Sequence, residues 1–472
     1  MISRSLRLIR RTPLTRVNTP LLAAARRLPA QQAVLSKRTI TAMFPPPPPR
    51  KSRLGRILLY SGLVAMAAVY GYWKFVTYHN FPPEVADKLR QGLYAEGSAG
   101  GFDYKTALFH YLEALEEADK VGLHALSDEY TGLQLKIAEM YEKLGMKNEA
   151  KMVYKELGIA YITALTDDNV IPAELRPHII QRDLRVALKT AYLESATNPQ
   201  LAKIGLMVHF RLAQDEVAKK SPELAKMING SNKQRNINIP LSLDGEVNND
   251  YADAWKPFRD ELFNARDMFV ALCIATGDIG LAIQTKLTST EWMAVSGYDA
   301  SETLMSFYNA GAIFYLQAEE LEVRDHEKKP TISSDGQIKS AAELAQISMG
   351  QANACFSAVL SLIKKLPSRL RRDSDIDDVQ ALATYGLGVI ALHKGNLDKA
   401  SDLLREARLR AKGCGYTDLA KNADIELDKL EKAIQDRKDN KDINVLEEVK
   451  PVSPAISLAS DAKKNLPITA EK

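Results

Sequence analysis

Gly386-x-Gly388-x-x-Ala391 is the stretch of this chain nearest to a chemical motif, because two glycines and a small residue at that spacing can cradle the phosphates of a dinucleotide. Such a cradle works only at a strand-to-helix turn, where backbone N–H groups face the ligand. Here the flanking residues carry helical periodicity throughout, so the glycines are expected to serve helix packing and no cofactor is expected. His110 and Glu113 stand at helical i and i+3, the spacing of a surface pair rather than of a metal site. Cys273, Cys355 and Cys414 are far apart within helical patterns, with no disulfide or zinc spacing, and each is expected to be a small buried residue. The chain contains no H-E-x-x-H, no G-x4-G-K-[ST] and no G-x-S-x-G. No catalytic set, metal site or cofactor follows from these residues, and the chain is read as a non-enzyme.

The elements carrying these residues are helical almost throughout. From Glu84 onward Ala, Leu, Lys and Glu dominate, and no period-two run is sustained. A spacing recurs. Gln134-x2-Ile137-Ala138-x2-Tyr141 is followed by a turn at Gly145 and Asn148, then by Ala150-x3-Tyr154-x2-Leu157. Thr384-x2-Leu387-Gly388-x2-Ala391 is followed by a turn at Gly395 and Asn396, then by Ala400-x3-Leu404-x2-Ala407. Small residues let two helix backbones approach, while the large ones fill the space between pairs. Weaker copies are Ala107-x3-Tyr111-x2-Ala114 with a partner helix beginning near Glu84, Arg266-x2-Phe269-Val270-x2-Cys273 with Gly277 and Ala282, and Leu304-x2-Phe307-Tyr308-x2-Gly311 with a second helix over 341–365. Helical pairs around Leu184–Glu194 and Leu201–Val217 keep the length without the signature. This pattern resembles the tetratricopeptide repeat (TPR) family, which implies an all-α, TPR-like α-solenoid of antiparallel helix pairs over 84–432. The inner-face positions Leu135, Glu139, Leu382 and Val389 would not form the basic clamp with which some TPRs grip a C-terminal carboxylate. Segments 229–250 and 324–337 are expected to be exposed insertions, and 439–472 a disordered tail.

Location is more sharply written than chemistry. Residues 1–83 contain no Asp or Glu. Arg4, Arg7 and Arg11 share one helical face and Ile2, Leu6 and Ile9 the opposite one, which marks 1–40 as a mitochondrial transit peptide. Five prolines, Pro45 to Pro49, stiffen a basic spacer over 41–56. The apolar run 57–76 is long enough to cross a bilayer once, with Arg50, Lys51, Arg53 and Arg56 before it and Tyr70, Tyr72, Trp73, Phe75 and Tyr78 at its far end. The basic flank places the body beyond it in the intermembrane space. Of the 63 basic residues 14 precede Glu84, so the body carries 49 against 59 acidic ones, a net charge of about −10. That balance is the wrong sign for a phosphate backbone, and no nucleic acid is expected.

Leader, proline spacer, single span and acidic repeat domain together resemble the fungal TPR-containing adaptor subunits of the inner-membrane i-AAA protease. The resemblance implies a membrane-anchored partner of that protease's subunits, which binds unfolded or misfolded proteins of the intermembrane space and inner membrane and assists their delivery. The alternatives are a TPR protein that maintains a respiratory complex, complex III in particular, and a scaffold of the inner membrane.

Overall fold

The structure is a computed structural model that describes residue 66 and residues 81–230, 249–326, 331–332 and 338–438. The expected transit peptide, spacer and tail lie outside the described residues, as does the expected span apart from Met66, which is helical and exposed. Among the described residues no helix is long and apolar enough to cross a membrane.

The described chain is all-helical apart from one short ribbon. Its first half runs α1 (Pro83–Glu96), α2 (Tyr104–Val121), α3 (Asp128–Lys143), α4 (Lys147–Thr166), α5 (Arg176–Ser195), α6 (Pro199–Ala218) and α7 (Pro222–Asn229). The second half runs α8 (Asn249–Trp255), α9 (Arg259–Ala275), α10 (Ile279–Val295), α11 (Ala300–His326), α12 (Ala341–Lys365), α13 (Ser374–His393), α14 (Leu397–Gly413) and α15 (Thr417–Lys438). Each long helix packs on its neighbours in sequence, and contacts reach one helix further between α4 and α6, α11 and α13, and α13 and α15. This nearest-neighbour pattern is consistent with an all-α solenoid. It continues across the insertion after α7, because α9 packs on α5 and α6.

Side-chain caps start many of these helices: Asp103, Ser127, Asn198, Ser221, Asp373 and Asn396 each accept a backbone N–H of the first turn, and Ser340 with Glu343 forms a full capping box. The tight reversals share one ending. Gly145 and Gly395 adopt φ values of 75° and 70°, and the next residues close the helix, Met146 N–H to Tyr141 C=O and Asn396 N–H to Ala391 C=O, each at 2.9 Å. That is the Schellman ending, in which a left-handed residue satisfies the last carbonyls and turns the chain back.

Close approach between the paired helices comes from small residues facing large ones. At Gly388 an added Cβ would stand 2.9 Å from Leu404 Cδ2 and Cγ of α14. At Gly386 it would meet the Phe356 ring of α12 at 2.7 Å. The two glycines therefore present opposite faces of α13 to different helices, which accounts for the phosphate-like spacing by packing alone. The Phe356 ring also lies against Gly311 of α11, where a Cβ would come within 2.8 Å, and beside Tyr308 at 5.2 Å between centroids. In this copy the expected order of small then large is inverted, with Tyr308 at the small position and Gly311 at the large one. Gly92 of α1 does the same for Tyr111, at 2.5 Å.

Two tyrosines add a polar fastening. Tyr111 donates to Glu96 and Tyr154 to Glu142, each at 2.6 Å, tying the second helix of a pair to the end of the first. Glu96 also accepts from Lys143 at 2.8 Å and Lys136 at 3.2 Å, joining α1 to α3. Burial alone would push its carboxyl up, but the hydrogen bonds from Lys143, Tyr111 and Lys136 outweigh it and bring the pKa from 4.5 to about 2.

Three expectations are corrected. Leu382 and Val389 do not line an inner face: both are buried, because α13 is enclosed by α11, α12, α14 and α15. Cys414 is only half-buried, whereas Cys273 and Cys355 are buried. The second insertion begins later than Arg324, since α11 continues to His326, and it contains an antiparallel ribbon of β1 (Thr331–Ile332) and β2 (Ile338–Lys339).

Gly388→Leu should destabilise the C-terminal helices by about 1–3 kcal/mol, since a side chain there must displace Leu404. Hydrogen exchange should rise in α13 and α14 and stay unchanged in α1–α4; unchanged exchange everywhere contradicts the close approach. Glu96→Gln should cost about 1–3 kcal/mol at neutral pH, the worth of hydrogen bonds to a charged group. Because the folded pKa lies below the ordinary 4.5, the stabilisation is complete above that pH and fades as pH falls toward 2. Denaturant unfolding at a series of pH values should show the two curves converging in that window, and a constant gap contradicts the assignment.

Candidate functional site

The residues with reactive potential are spent on structure. Burial pushes the Cys273 and Cys355 thiols up to about 12, far from the thiolate a nucleophile needs. His110 contacts Glu113 at 3.0 Å, and Lys88 of α1 reaches the same carboxylate at 3.0 Å, so the expected surface pair is part of a bridge between α1 and α2. Among the described residues no three His, Cys, Asp or Glu side chains are grouped to hold a metal ion.

Arg266 of α9 occupies a large-residue position of the repeat spacing and is buried. It donates to Ser289 Oγ at 2.7 Å, to the Thr285 carbonyl at 3.0 Å and to the Thr288 hydroxyl, with its guanidinium 4.1 Å from the Trp292 ring centroid. Burial lowers its pKa to about 9, which leaves it charged at neutral pH. Its neutral partners and aromatic face fill the role of an apolar anchor between α9 and α10.

The expected repeat positions fall into separate cores. Ala107, Tyr111 and Ala114 hold α2; Ala138, Ala150 and Tyr154 are buried between α3 and α4, with Tyr141 half-buried beside them. Gly388, Ala391, Ala400, Leu404 and Ala407 are buried between α13 and α14, with Leu387 half-buried. None of these forms a shared surface. They set helix spacing, and the surface that results lies elsewhere.

That surface is the outward side of α4 and α6. Their contact runs through Gly158 and His209, where an added Cβ would lie 3.2 Å from the imidazole, and His209 is held by buried Asp183 of α5 at 2.7 Å. Successive reversals make α4 and α6 parallel. At about 100° per residue, Met152 and Ile159 project to one side of this contact, and Leu201, Ile204 and Val208 project to the same side from the facing helix. The core residues Ala150, Tyr154, Leu157 and Tyr161 point the other way, toward α3 and α5. Met152, Ile159 and Ile204 are 70%, 64% and 54% exposed, and Leu201 and Val208 are exposed with them. Two helices thus carry exposed apolar residues that no core requires, and clusters of this kind mark interaction surfaces. Sequence reading overlooked it although the signal is present, since apolar residues occupy both sides of α4 at helical spacing.

Ile159→Asp combined with Ile204→Asp should leave stability within about 0.5 kcal/mol, as exposed substitutions do. Leu157→Ala, two residues from Ile159 on the inward side, should cost about 2–5 kcal/mol. Denaturant unfolding of both variants checks the division of faces, and a large loss in the first contradicts it.

Comparison with known proteins gives this architecture a family. The MGR3 middle domain matches residues 168–298, a stretch that contains α5 through α10. The mitochondrial inner membrane i-AAA protease supercomplex subunit MGR3 of Saccharomyces cerevisiae is 31% identical over 425 residues, covering 81% of this chain and 84% of its own. A second protein of that yeast, Protein MRG3-like, is 30% identical over 417 residues, covering 81% of this chain and 89% of its own. No solved structure matches. On identity and coverage together, this chain belongs to the MGR3 family.

Proposed function

We propose that this protein is a non-enzymatic adaptor of the mitochondrial inner membrane, which binds unfolded proteins in the intermembrane space and helps deliver them to a membrane-bound i-AAA protease. The observation that carries this reading is the relationship over most of both chains to a subunit of that protease's supercomplex. The leader at 1–40 and the single span at 57–76 would put the helical body on the protease's side of the membrane, within reach of its clients. The helix pairs would be TPR-type repeats, with the small and large positions around Gly388 and Ala150 as their packing signature.

The outward row on α4 and α6 supports client binding of a particular kind. Five exposed aliphatic side chains offer apolar contact without a deep pocket or a fixed charge pattern, which suits extended apolar segments of many sequences. Affinity for any one client would be modest, because the client is ordered as it binds. The protease rather than this chain would supply turnover.

Full-length protein carrying Ile159→Asp and Ile204→Asp should still co-purify with the protease from detergent-solubilised mitochondria. It should retain less of an unfolded intermembrane-space reporter, and degradation of that reporter should slow. Unchanged reporter degradation combined with loss of cytochrome b-containing complexes would replace the adaptor reading with maintenance of a respiratory complex.

A further inference from the structure

The first helix pair carries a second exposed apolar cluster, distinct from the row on α4 and α6. Tyr94, at the end of α1, lines an open cleft of about 540 Å³ together with Arg90, Gln91, Asp103, Thr106 and His110, and the exposed Phe109 of α2 lies against His110, with 5.5 Å between ring centroids. Phe102 is at the tip of the connecting loop, 57% exposed. Its φ of 58° makes it the one non-glycine residue with positive φ among the described residues. The loop is nonetheless tied down: Phe102 N–H donates to the Gly97 carbonyl at 3.2 Å and Asp103 N–H to the Ala95 carbonyl at 2.9 Å. A rigid loop thus holds an aromatic side chain out in solvent in a backbone conformation that bulky residues avoid.

We propose that this cluster seats the first helix pair on the surface of the same bilayer that anchors the chain, an inference that rests on 57–76 crossing the membrane. Four residues, 77–80, separate that run from Phe81, so the start of α1 lies within about 17 Å of the end of the span. Phe81 packs against the core around Val85, which fixes where the tether meets the body. With α1 only about 21 Å long, laying it along the bilayer brings Tyr94, Phe102 and Phe109 to the headgroup level, where aromatic side chains with polar neighbours are favoured. The cleft's exposed surface is mostly apolar, which adds to the face offered at the boundary of headgroups and acyl chains. Charges of this helix pair also pair locally, Arg90 with Asp87 at 2.9 Å and Lys88 with Glu113 at 3.0 Å, so seating depends on the aromatic groups and not on lipid charge. The body would then lie against the membrane instead of swinging from it.

The test uses the full chain reconstituted into phosphatidylcholine and phosphatidylethanolamine liposomes, with a benzophenone amino acid placed in turn at Phe102, Phe109 and Ile159. Illumination should give lipid adducts from positions 102 and 109 and none from 159. Tyr94→Ser should lower the yield at 102 severalfold, and added salt should leave it unchanged. Adducts only to protein at 102, no adducts there, or equal lipid adducts at 159 would overturn the proposal. Alkaline carbonate extraction of the same liposomes reads the anchor separately. A chain that resists extraction yet gives no lipid adducts at 102 and 109 sinks the docking alone, whereas a released chain removes the span.

Discussion

Helix pairs in this protein close where a residue too small to hold two backbones apart meets one large enough to fill the gap. Gly388 against Leu404, Gly92 against Tyr111, and Phe356 between Gly311 and Gly386 are instances of one constraint met with different side chains. Phe356 joins three helices in this way, which makes α11, α12 and α13 a single packed unit around one ring. Interiors at crystal-like density tolerate little change at such points, so helix spacing is set here and propagates to everything outside the core.

One consequence concerns the outer surface. A solenoid asks each second helix to bury one side only, and the other side is free of packing demands. On α14 the free side is mostly charged, with Arg410 paired to Glu406, and Leu409 is exposed among these charges. On α4 and α6 it is aliphatic. The proposed function reads that difference as a sign of what this part of the molecule touches. The family match covers α6.

Much of the fold was legible because its signal is local. Ala150-x3-Tyr154 and Ala400-x3-Leu404 encode a small and a large residue one turn apart, and the helix ends at Gly145 and Gly395 are readable from composition. What was not legible depended on the neighbours a helix acquires. Leu382 and Val389 read as inner-face residues on an isolated pair, but α15 and α11 close over them. Gly311 and Tyr308 exchange roles because Phe356, nearly fifty residues away, supplies the bulk. Arg266 stands at a repeat position in the sequence, but nothing local tells that Trp292 and three oxygen acceptors of α10 surround it. The candidate site was hidden differently: its residues were visible as apolar positions, and only the direction of the α4–α6 contact separates them from core.

The central proposal is that clients meet the outward face of α4 and α6 while the repeat positions only hold that face in place. Site-specific photocrosslinking in intact mitochondria tests it most directly, with the reactive group at Ile204 or Met152 and, for comparison, at Leu135 or Glu139 on α3. The account predicts adducts to unfolded intermembrane-space proteins from Ile204 and Met152, increasing when the protease is inactivated, and few from α3. Client adducts concentrated at Leu135 and Glu139, with none at Ile204, would contradict it.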